Sequence, residues 1–371
     1  MSSPVLPLPQ EVVKHHLENL GRWMSQWLAL KRFPPVLLLS GPAGVGKRSM
    51  AYYLSQWLLC ENTGKAMGIV QEPVDLFGGG GGSSSESATP SNEPCGTCTS
   101  CQKALSGNWI DFTEILPDAD SESSNAKLKI DQFRNLKASQ GFGAFDGSFR
   151  IFLIPGAENM TQQAANSVLK ILEEPPPGWI FILTTNDPSI LFSTLVSRCQ
   201  IVKLKPFSET TLSQLLAGQN LNDAKRQLCA RLAQGSWGKA FALTSDEFWE
   251  KRQPLLRFLE NPQTELNELI EWATEENPNF VLLLDQLELL LSDLIQWSAQ
   301  PPQLPQRAWF NTDASKSLET HARAQLDKRG SPTAAREFWF NRHERVAQVR
   351  KEIGLPLNRK LLVQDVLMGF L

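Results

Sequence analysis

The sequence lacks any excess of positive charge, since 36 lysine and arginine residues stand against 39 aspartate and glutamate residues and the net charge is −3. This balance excludes a global positive field, so any contact with DNA must come from a local patch or through partners. No apolar run approaches the 18 residues typical of a membrane-spanning helix, and no apolar N-terminal segment with a cleavage site is present. We therefore expect a cytoplasmic chain that is neither exported nor inserted into a membrane.

Cysteine is also scarce, with six residues in 371, but its spacing is informative. Cys95, Cys98 and Cys101 lie within "CGTCTSC", and Cys60 ends the preceding helical pattern. Clustered cysteines at this spacing indicate metal binding in a reducing compartment rather than disulfides. Cys60 is the candidate fourth ligand. Four thiolates close a tetrahedral zinc site with no open position, so the predicted role of the zinc is structural.

Short apolar runs alternate with helical patterns over the first two hundred residues. The runs that read as strands are 36–40, 111–116, 150–154, 179–185 and 201–204. The segments with helical spacing are 46–59, 131–140, 161–174 and 188–198. Near-continuous apolar strands are typical of a sheet covered on both faces, and the alternation predicts a parallel sheet with right-handed crossovers.

Two features set the predicted domain boundaries. Residues 62–94 contain "GGGGGSSSES", which has too little apolar surface to offset its ordering entropy, and we expect a disordered surface insertion there. After residue 205 only helical patterns remain, ending in a long apolar periodicity at 280–297. The prediction is a domain over 1–205 with a zinc module at 60–101, a small helical domain over 206–245, and a helical oligomerisation domain over 246–371.

A phosphate-binding loop follows the first strand. "GPAGVGKR" begins at Gly41, between the strand and the next helical pattern, which is the context that this motif requires. Gly41, Gly44 and Gly46 allow the backbone N–H groups to turn toward phosphate, and Lys47 would reach the terminal phosphate oxygens. The motif calls for serine or threonine after the lysine, whereas this chain has Arg48, which cannot bind a cation.

A second magnesium-binding position is missing as well. The strand 150–154 runs into Pro155 and Gly156, where nucleotide-hydrolysing proteins of this kind place an acid. Magnesium supplies much of the charge neutralisation in phosphoryl transfer, so hydrolysis at this loop is expected to be poor. The alternative is that another acid, such as Glu158, substitutes as the ligand.

"DPSILFSTLVSRCQ" (187–200) ends in Ser197-Arg198-Cys199, which we expect to be exposed. Arg198 allows two interpretations, a salt bridge at the end of a helix or an arginine offered to phosphates on another subunit.

These motifs, in this order, resemble the clamp-loader branch of the AAA+ proteins, which includes the gamma/tau and delta-prime subunits of bacterial DNA polymerase III. The resemblance rests on "NSVLKILEEPPPGWIFILTTNDPSILFSTLVSRCQ" (166–200), the phosphate loop and the cysteine quartet, and it covers roughly residues 15 to 245. "LNRKLLVQDVLMGF" (357–370) is similar to the final helix of the family. The resemblance implies a RecA-like α/β AAA+ domain with a parallel sheet, an all-α lid and an all-α collar that assembles a ring. The long Gly/Ser insertion departs from the family's zinc module.

The same resemblance carries functional expectations. In the motor-type subunits the loop ends in Lys-Ser/Thr, where this chain has Arg48 after the lysine. Acids follow the second strand in those subunits, where this chain has Pro155. Their lid carries an arginine, where this chain has Gly238. The loss of all three is typical of the delta-prime type, a stator of the polymerase holoenzyme that does not itself hydrolyse ATP. The resemblance makes Arg198, with Ser197, a trans-acting arginine finger. The implied partners are gamma/tau and delta subunits, with the sliding clamp and primed DNA reached through the complex.

Two other functions remain open at this point. One is a motor-type gamma/tau-like ATPase with unconventional magnesium ligands, and the other is a separate zinc-containing DNA-repair ATPase. The acidic charge balance weighs against the second. Both clamp-loader types share the Ser197-Arg198-Cys199 motif, so only the magnesium positions separate them.

Overall fold

The computed structural model describes residues 10–66, 93–116, 127–129, 131, 133, 144, 149–260, 262–275, 277–299, 309–353 and 357–369. The chain divides into two compact units, Met1–Pro206 and Phe207–Leu371. The boundary lies next to the predicted end of the first domain, whereas a further division into lid and collar near residue 245 stays a prediction. Among the described residues, no helix combines the length and the apolar character needed to cross a membrane.

The first unit contains a five-stranded parallel sheet with the strand order β2-β3-β4-β1-β5. Its strands are β1 (Val36–Ser40), β2 (Phe112–Glu114), β3 (Arg150–Ile154), β4 (Trp179–Thr185) and β5 (Gln200–Lys203). The predicted parallel α/β class is confirmed. The bounds of β1, β3 and β4 are those predicted, while β2 is shorter and β5 begins one residue earlier.

Helices flank this sheet. They are α1 (Gln10–Ala29), α2 (Lys47–Leu59), α3 (Glu61–Ala66), α4 (Thr99–Leu105), α5 (Gln162–Glu173) and α6 (Ser193–Val196). Both faces of the sheet are covered, as predicted. On β1, Leu37 and Leu39 join the apolar cluster under α1 and α2, and Val36 and Leu38 join the cluster under α5.

Two expectations need correction. The predicted helix over 188–198 is wrong, because a 3-10 turn at Pro188–Ile190, capped by the Asp187 side chain, is separated from the four-residue α6. Disorder from residue 62 is also wrong for residues 62–66, which belong to α3. Residues 67–92 of the predicted insertion lie outside the described part of the chain. Most of the predicted helix over 131–140 also lies outside the described part. Residues 131 and 133 are described, and both are helical.

The second unit is helical, as predicted. Its helices are α7 (Glu209–Leu215), α8 (Asp223–Leu232), α9 (Trp237–Ala242), α10 (Asp246–Glu260), α11 (Pro262–Glu275), α12 (Asn277–Ala299), α13 (Ser315–Arg329), α14 (Pro332–Glu352) and α15 (Arg359–Met368). A large apolar core joins α10 to α15, and α12 packs extensively against α14.

A buried polar network crosses this helical core. Arg252 of α10 is fully buried and pairs with both carboxylate oxygens of Asp313, at 2.7 and 3.0 Å. Its other donors reach Gln286 Oε1 at 3.2 Å and Asn311 Oδ1 at 2.8 Å. Asn311 in turn donates its backbone and side-chain N–H groups to the buried Asp293 carboxylate of α12. The network therefore fixes the segment before α13 to two helices.

Candidate functional site

The loop between β1 and α2 has the geometry of a phosphate-binding loop. At Gly41 a Cβ atom would lie 2.5 Å from the carbonyl oxygen of Leu204, so a side chain cannot be accommodated there. Gly46 is left-handed, with φ 93°, and its Cβ would lie 2.6 Å from Cγ1 of Val12. Gly44 is left-handed too, with φ 74°. The three predicted glycines thus lie where the backbone requires them.

Helix α1 packs on this loop, a contact that the sequence reasoning missed. His16 Nε2 lies 2.7 Å from the carbonyl oxygen of Val45, and the His16 side chain is almost fully buried. Burial lowers the pKa of His16 below its ordinary value. The signal in the sequence is the spacing of three or four residues between the buried side chains of α1: Val12, Val13, His16, Leu20, Met24, Trp27 and Leu28.

Lys47 is fully engaged within the loop. Its Nζ donates to the carbonyl oxygens of Gly41 and Pro42 at 2.7 and 2.8 Å and to Asn186 Oδ1 at 2.8 Å. Burial lowers the pKa of Lys47, and the nearby Glu158 carboxylate acts in the opposite direction. An ammonium group has three donors, so Lys47 must release some of these contacts before it can bind phosphate.

Arg48 occupies the position of the expected magnesium-binding hydroxyl. Its guanidinium donates to Glu114 Oε2 at 2.6 Å, and the Tyr52 hydroxyl donates to the same oxygen at 2.6 Å. Glu114 ends β2 and its side chain is 11% exposed. This carboxylate is therefore committed to a cation of the chain itself, beside the loop where a metal ligand would be required.

The end of β3 has no acid at the expected position. Pro155 is followed by Gly156, which is left-handed with φ 64° and donates its N–H to Thr184 Oγ1 at 3.1 Å. Glu158, the alternative ligand, accepts hydrogen bonds from the backbone N–H of Asn186 at 3.2 Å and from its side chain at 2.9 Å. Asn186 also contacts Lys47, so Glu158 belongs to the surroundings of the loop.

The four clustered cysteines come together, as their spacing predicted. The Sγ atoms of Cys60, Cys95, Cys98 and Cys101 all lie within 4.8 Å of one another. Tetrahedral zinc with Zn–S distances of about 2.3 Å requires sulfurs about 3.8 Å apart, and this donor set fits such an ion. Cys60 follows the last residue of α2, and Cys98 is the N-cap of α4. The cluster therefore links two helices and could bind a metal such as zinc.

Backbone hydrogen bonds favour the thiolate form within this cluster. Cys95, Cys98 and Cys101 donate their backbone N–H groups to the sulfurs of Cys60, Cys95 and Cys98, each at 3.4 Å. Burial opposes ionisation of Cys95, but these bonds and those from Thr97 lower its pKa to about 6. Burial instead raises the pKa of Cys98 and Cys101. The left-handed Gly96, with φ 71°, makes the turn between the first two ligands.

Arg198 lies at the amino-terminal ends of the parallel strands, whereas the phosphate loop lies at their carboxyl-terminal ends. Arg198 directly precedes the Cys199 that leads into β5, and Gln200 of β5 pairs with Leu37 near the start of β1. The loop leaves from the carboxyl end of β1, so a five-residue strand, roughly 15 Å long, separates the two. Arg198 therefore faces away from the chain's own phosphate loop.

Local contacts hold the Arg198 guanidinium in place. Nη2 pairs with Glu173 of α5, and Nη1 donates to the carbonyl oxygen of Thr194 at 2.6 Å. Ser197 Oγ lies 3.4 Å from Nη1 and donates to the same carbonyl oxygen at 3.1 Å. The salt bridge considered from the sequence is thus present, and the Arg198 side chain remains 31% exposed.

Comparison with known proteins finds relatives among the subunits of DNA polymerase III. The model of the family described as "DNA polymerase III, delta subunit" matches residues 84–208. The DNA polymerase III subunit tau of Escherichia coli is 32% identical over 233 residues, which cover 61% of this chain and 31% of tau. The subunit delta' of the same organism is 30% identical over 224 residues, covering 60% of this chain and 58% of delta'. This chain is therefore similar to the tau and delta' subunits of DNA polymerase III.

The similarity covers only part of these relatives. This chain spans about a third of the length of tau and somewhat more than half of delta'. The solved structure of a DNA polymerase III gamma subunit-related protein from Thermotoga maritima covers 94% of this chain and 98% of its own, with 16% identity and a TM-score of 0.45. The matches include both tau and delta', so the type of subunit has to be argued from the site.

The sequence predicted the loop, the cysteines and Arg198, but not the side chains that surround the loop. Glu114 ends β2, and Asn186 directly follows β4. The carboxyl ends of neighbouring parallel strands meet at one edge of a sheet, where ligands of such folds bind. The polar residue at each strand end was therefore a usable signal. The predicted roles of all these residues stay predictions.

Proposed function

We propose that this chain is a delta-prime-like subunit of the DNA polymerase III clamp loader. It assembles in a ring with gamma/tau-type and delta-type subunits that load the sliding clamp onto primed DNA. Within that ring it acts as a stator that does not hydrolyse ATP and supplies Arg198 to the nucleotide of a neighbour. The helical second unit provides the lid and the collar through which the ring assembles.

The observation that carries this proposal is the ion pair of Arg48 with Glu114. The guanidinium stands one residue after Lys47, where the motif requires the hydroxyl that binds magnesium. A permanently charged arginine cannot be a metal ligand, and its charge repels a divalent cation. Glu114 is already paired with it at 2.6 Å. With Pro155 at the other magnesium position, the loop lacks the ligands that phosphoryl transfer depends on.

The position of Arg198 supports the action on a neighbour. A side chain roughly 15 Å from its own loop, across the sheet, cannot contact a nucleotide held there. It can contact a nucleotide held by another subunit across an interface. The planar guanidinium pairs bidentately with phosphate oxygens and keeps its charge at all physiological pH values.

The cysteine cluster has a structural role in this proposal. Zinc is the metal that suits four thiolates at tetrahedral spacing, and Cys60, Cys95, Cys98 and Cys101 leave it no open position for substrate. Bound zinc would fix α4 to the end of α2. It would supply stability rather than a catalytic step.

Two substitutions in the complete complex test the proposal. Arg198→Ala should leave the chain folded and assembled while reducing the DNA-stimulated ATPase, because a trans arginine contributes ~10³-fold or more at its site. The loss should be partial for the whole complex, since other interfaces keep their own arginines. Lys47→Ala should change turnover little. The proposal is wrong if Arg198→Ala is silent and Lys47→Ala abolishes activity.

A motor-type ATPase remains the second candidate because of Glu158. Its carboxylate lies 2.9 Å from the Asn186 side chain, which itself contacts Lys47 at 2.8 Å. An acid is therefore available beside the loop. Under this candidate Glu158→Gln would abolish a magnesium-dependent ATPase of the isolated chain, whereas the stator proposal expects no such activity to lose. The two functions thus give opposite results in one assay.

A further inference from the structure

A second arginine shares a cavity with Arg198. The cavity has a volume of about 350 Å³ and lies at the amino-terminal edge of β1 and β5. Arg198 and Gln200 line it from the β5 side. Gln26, near the end of α1, and Arg32, in the turn that follows, line it from the other side. No carboxylate is among its lining residues in the described part of the chain. Glu173 pairs with Arg198 from outside this lining, so Arg32 supplies the uncompensated positive charge of a cavity that is rich in hydrogen-bond donors.

The turn that presents Arg32 has a defined geometry. Arg32 N donates to the Trp27 carbonyl oxygen and Lys31 N to that of Leu28, both at 3.0 Å, which closes α1 with a Schellman motif. Lys31 takes the left-handed position with φ 49°, where glycine is the usual residue. This turn places Arg32 at the wall of the cavity.

Arg32 is available for a ligand. Its side chain is exposed, and within the described residues it makes no ion pair or side-chain hydrogen bond. Arg198 pairs with Glu173 and contacts the Thr194 carbonyl and Ser197. These three contacts use fewer than its five N–H groups, so donors remain. Both guanidiniums line one cavity and have donors to spare.

We propose that Arg32 and Arg198 together form a site for the phosphate oxygens of a nucleotide that a neighbouring subunit holds. This inference rests on the proposed function, which assigns Arg198 alone. The cavity is on the opposite edge of the sheet from the chain's own loop, so a nucleotide held at that loop cannot reach it. Two guanidinium forks match the several negative oxygens of a polyphosphate, and Gln26 and Gln200 add neutral amide donors at the rim. Pro34 and Pro35 form part of the cavity wall.

The test uses the complete complex, reconstituted with its gamma/tau-type and delta-type partners. Arg32→Ala should lower DNA-stimulated ATP turnover about tenfold at this interface, as expected for the loss of one charge-assisted contact. Arg32→Lys should recover only part of the turnover, because lysine cannot pair bidentately. Arg323→Ala, which removes an exposed arginine paired only with Glu319 in the second unit, is the matched control and should change nothing.

Two further readouts separate the outcomes. The double variant Arg32→Ala/Arg198→Ala should lose less than the product of the two single losses if the arginines act on one ligand. Size-exclusion chromatography should show intact assembly for every variant. The inference is overturned if Arg198→Ala lowers turnover but Arg32→Ala does not. It is also overturned if Arg32→Ala prevents assembly, which would assign Arg32 to an acidic group of the partner protein. A silent Arg198→Ala would instead remove the proposed role of Arg198, on which this inference rests.

Discussion

The buried Arg252 network predicts a large and local loss of stability. Arg252→Met replaces a fully buried guanidinium by an apolar side chain of similar length, so little cavity is created. The substitution leaves the Asp313 carboxylate and the oxygens of Gln286 and Asn311 without their donor. Removing one partner of a buried pair costs about 3–5 kcal/mol. Asp313 is 27% exposed and can recover some hydration, so we expect about 3 kcal/mol.

Amide hydrogen exchange measures this loss where it occurs. About 3 kcal/mol corresponds to ~100-fold faster exchange in α10, α12 and the segment before α13, with little change in the first unit. Arg257→Met is the matched control on the same helix. Arg257 is 56% exposed and pairs only with Glu265, so its loss should leave exchange nearly unchanged. An acceleration below tenfold for Arg252→Met would refute the reasoning that this network stabilises the core.

Two predictions concern the first unit. Elemental analysis of protein purified without chelator should find one zinc per chain, and metal-free protein would contradict the structural zinc site. Cys95→Ser should lower the metal content, whereas Cys229→Ser should not. Acidification from pH 7 toward pH 5 should destabilise α1 and the phosphate loop. Burial lowers the pKa of His16, so the unfolded state takes up its proton first, at an ordinary pKa of about 6.5. His16→Gln should weaken the pH dependence of amide hydrogen exchange in the first unit. An unchanged pH profile in this variant would contradict the role given to His16.

The strands of the first unit could be predicted from the sequence because burial on both faces leaves a near-continuous apolar run. β1, β3 and β4 have this pattern and their bounds were correct. β2 was predicted too long, since it is an edge strand of three residues whose pattern is less apolar. Helix α1 was missed although its buried residues follow a helical spacing, because it lies before the first recognisable motif.

The chemistry of the site was predictable only where residues are close in sequence. The glycines of the loop and the clustered cysteines are local patterns with a geometric reason for their spacing. Arg48 and Glu114 are separated by 66 positions in the sequence, and their pairing depends on the strand order. Arg32 and Arg198 line one cavity for the same reason. Such contacts follow from topology, which spacing in a single sequence does not specify.

The central claim is that this chain does not hydrolyse ATP. The most direct measurement is steady-state ATP turnover of the homogeneous chain with magnesium, in the absence of other subunits. The account predicts negligible turnover, because Arg48 and Pro155 replace two magnesium-binding positions and Arg48 holds Glu114 in an ion pair. Turnover of about 1 per second or faster, in the ordinary range of enzymes, would contradict it and identify the chain as a motor.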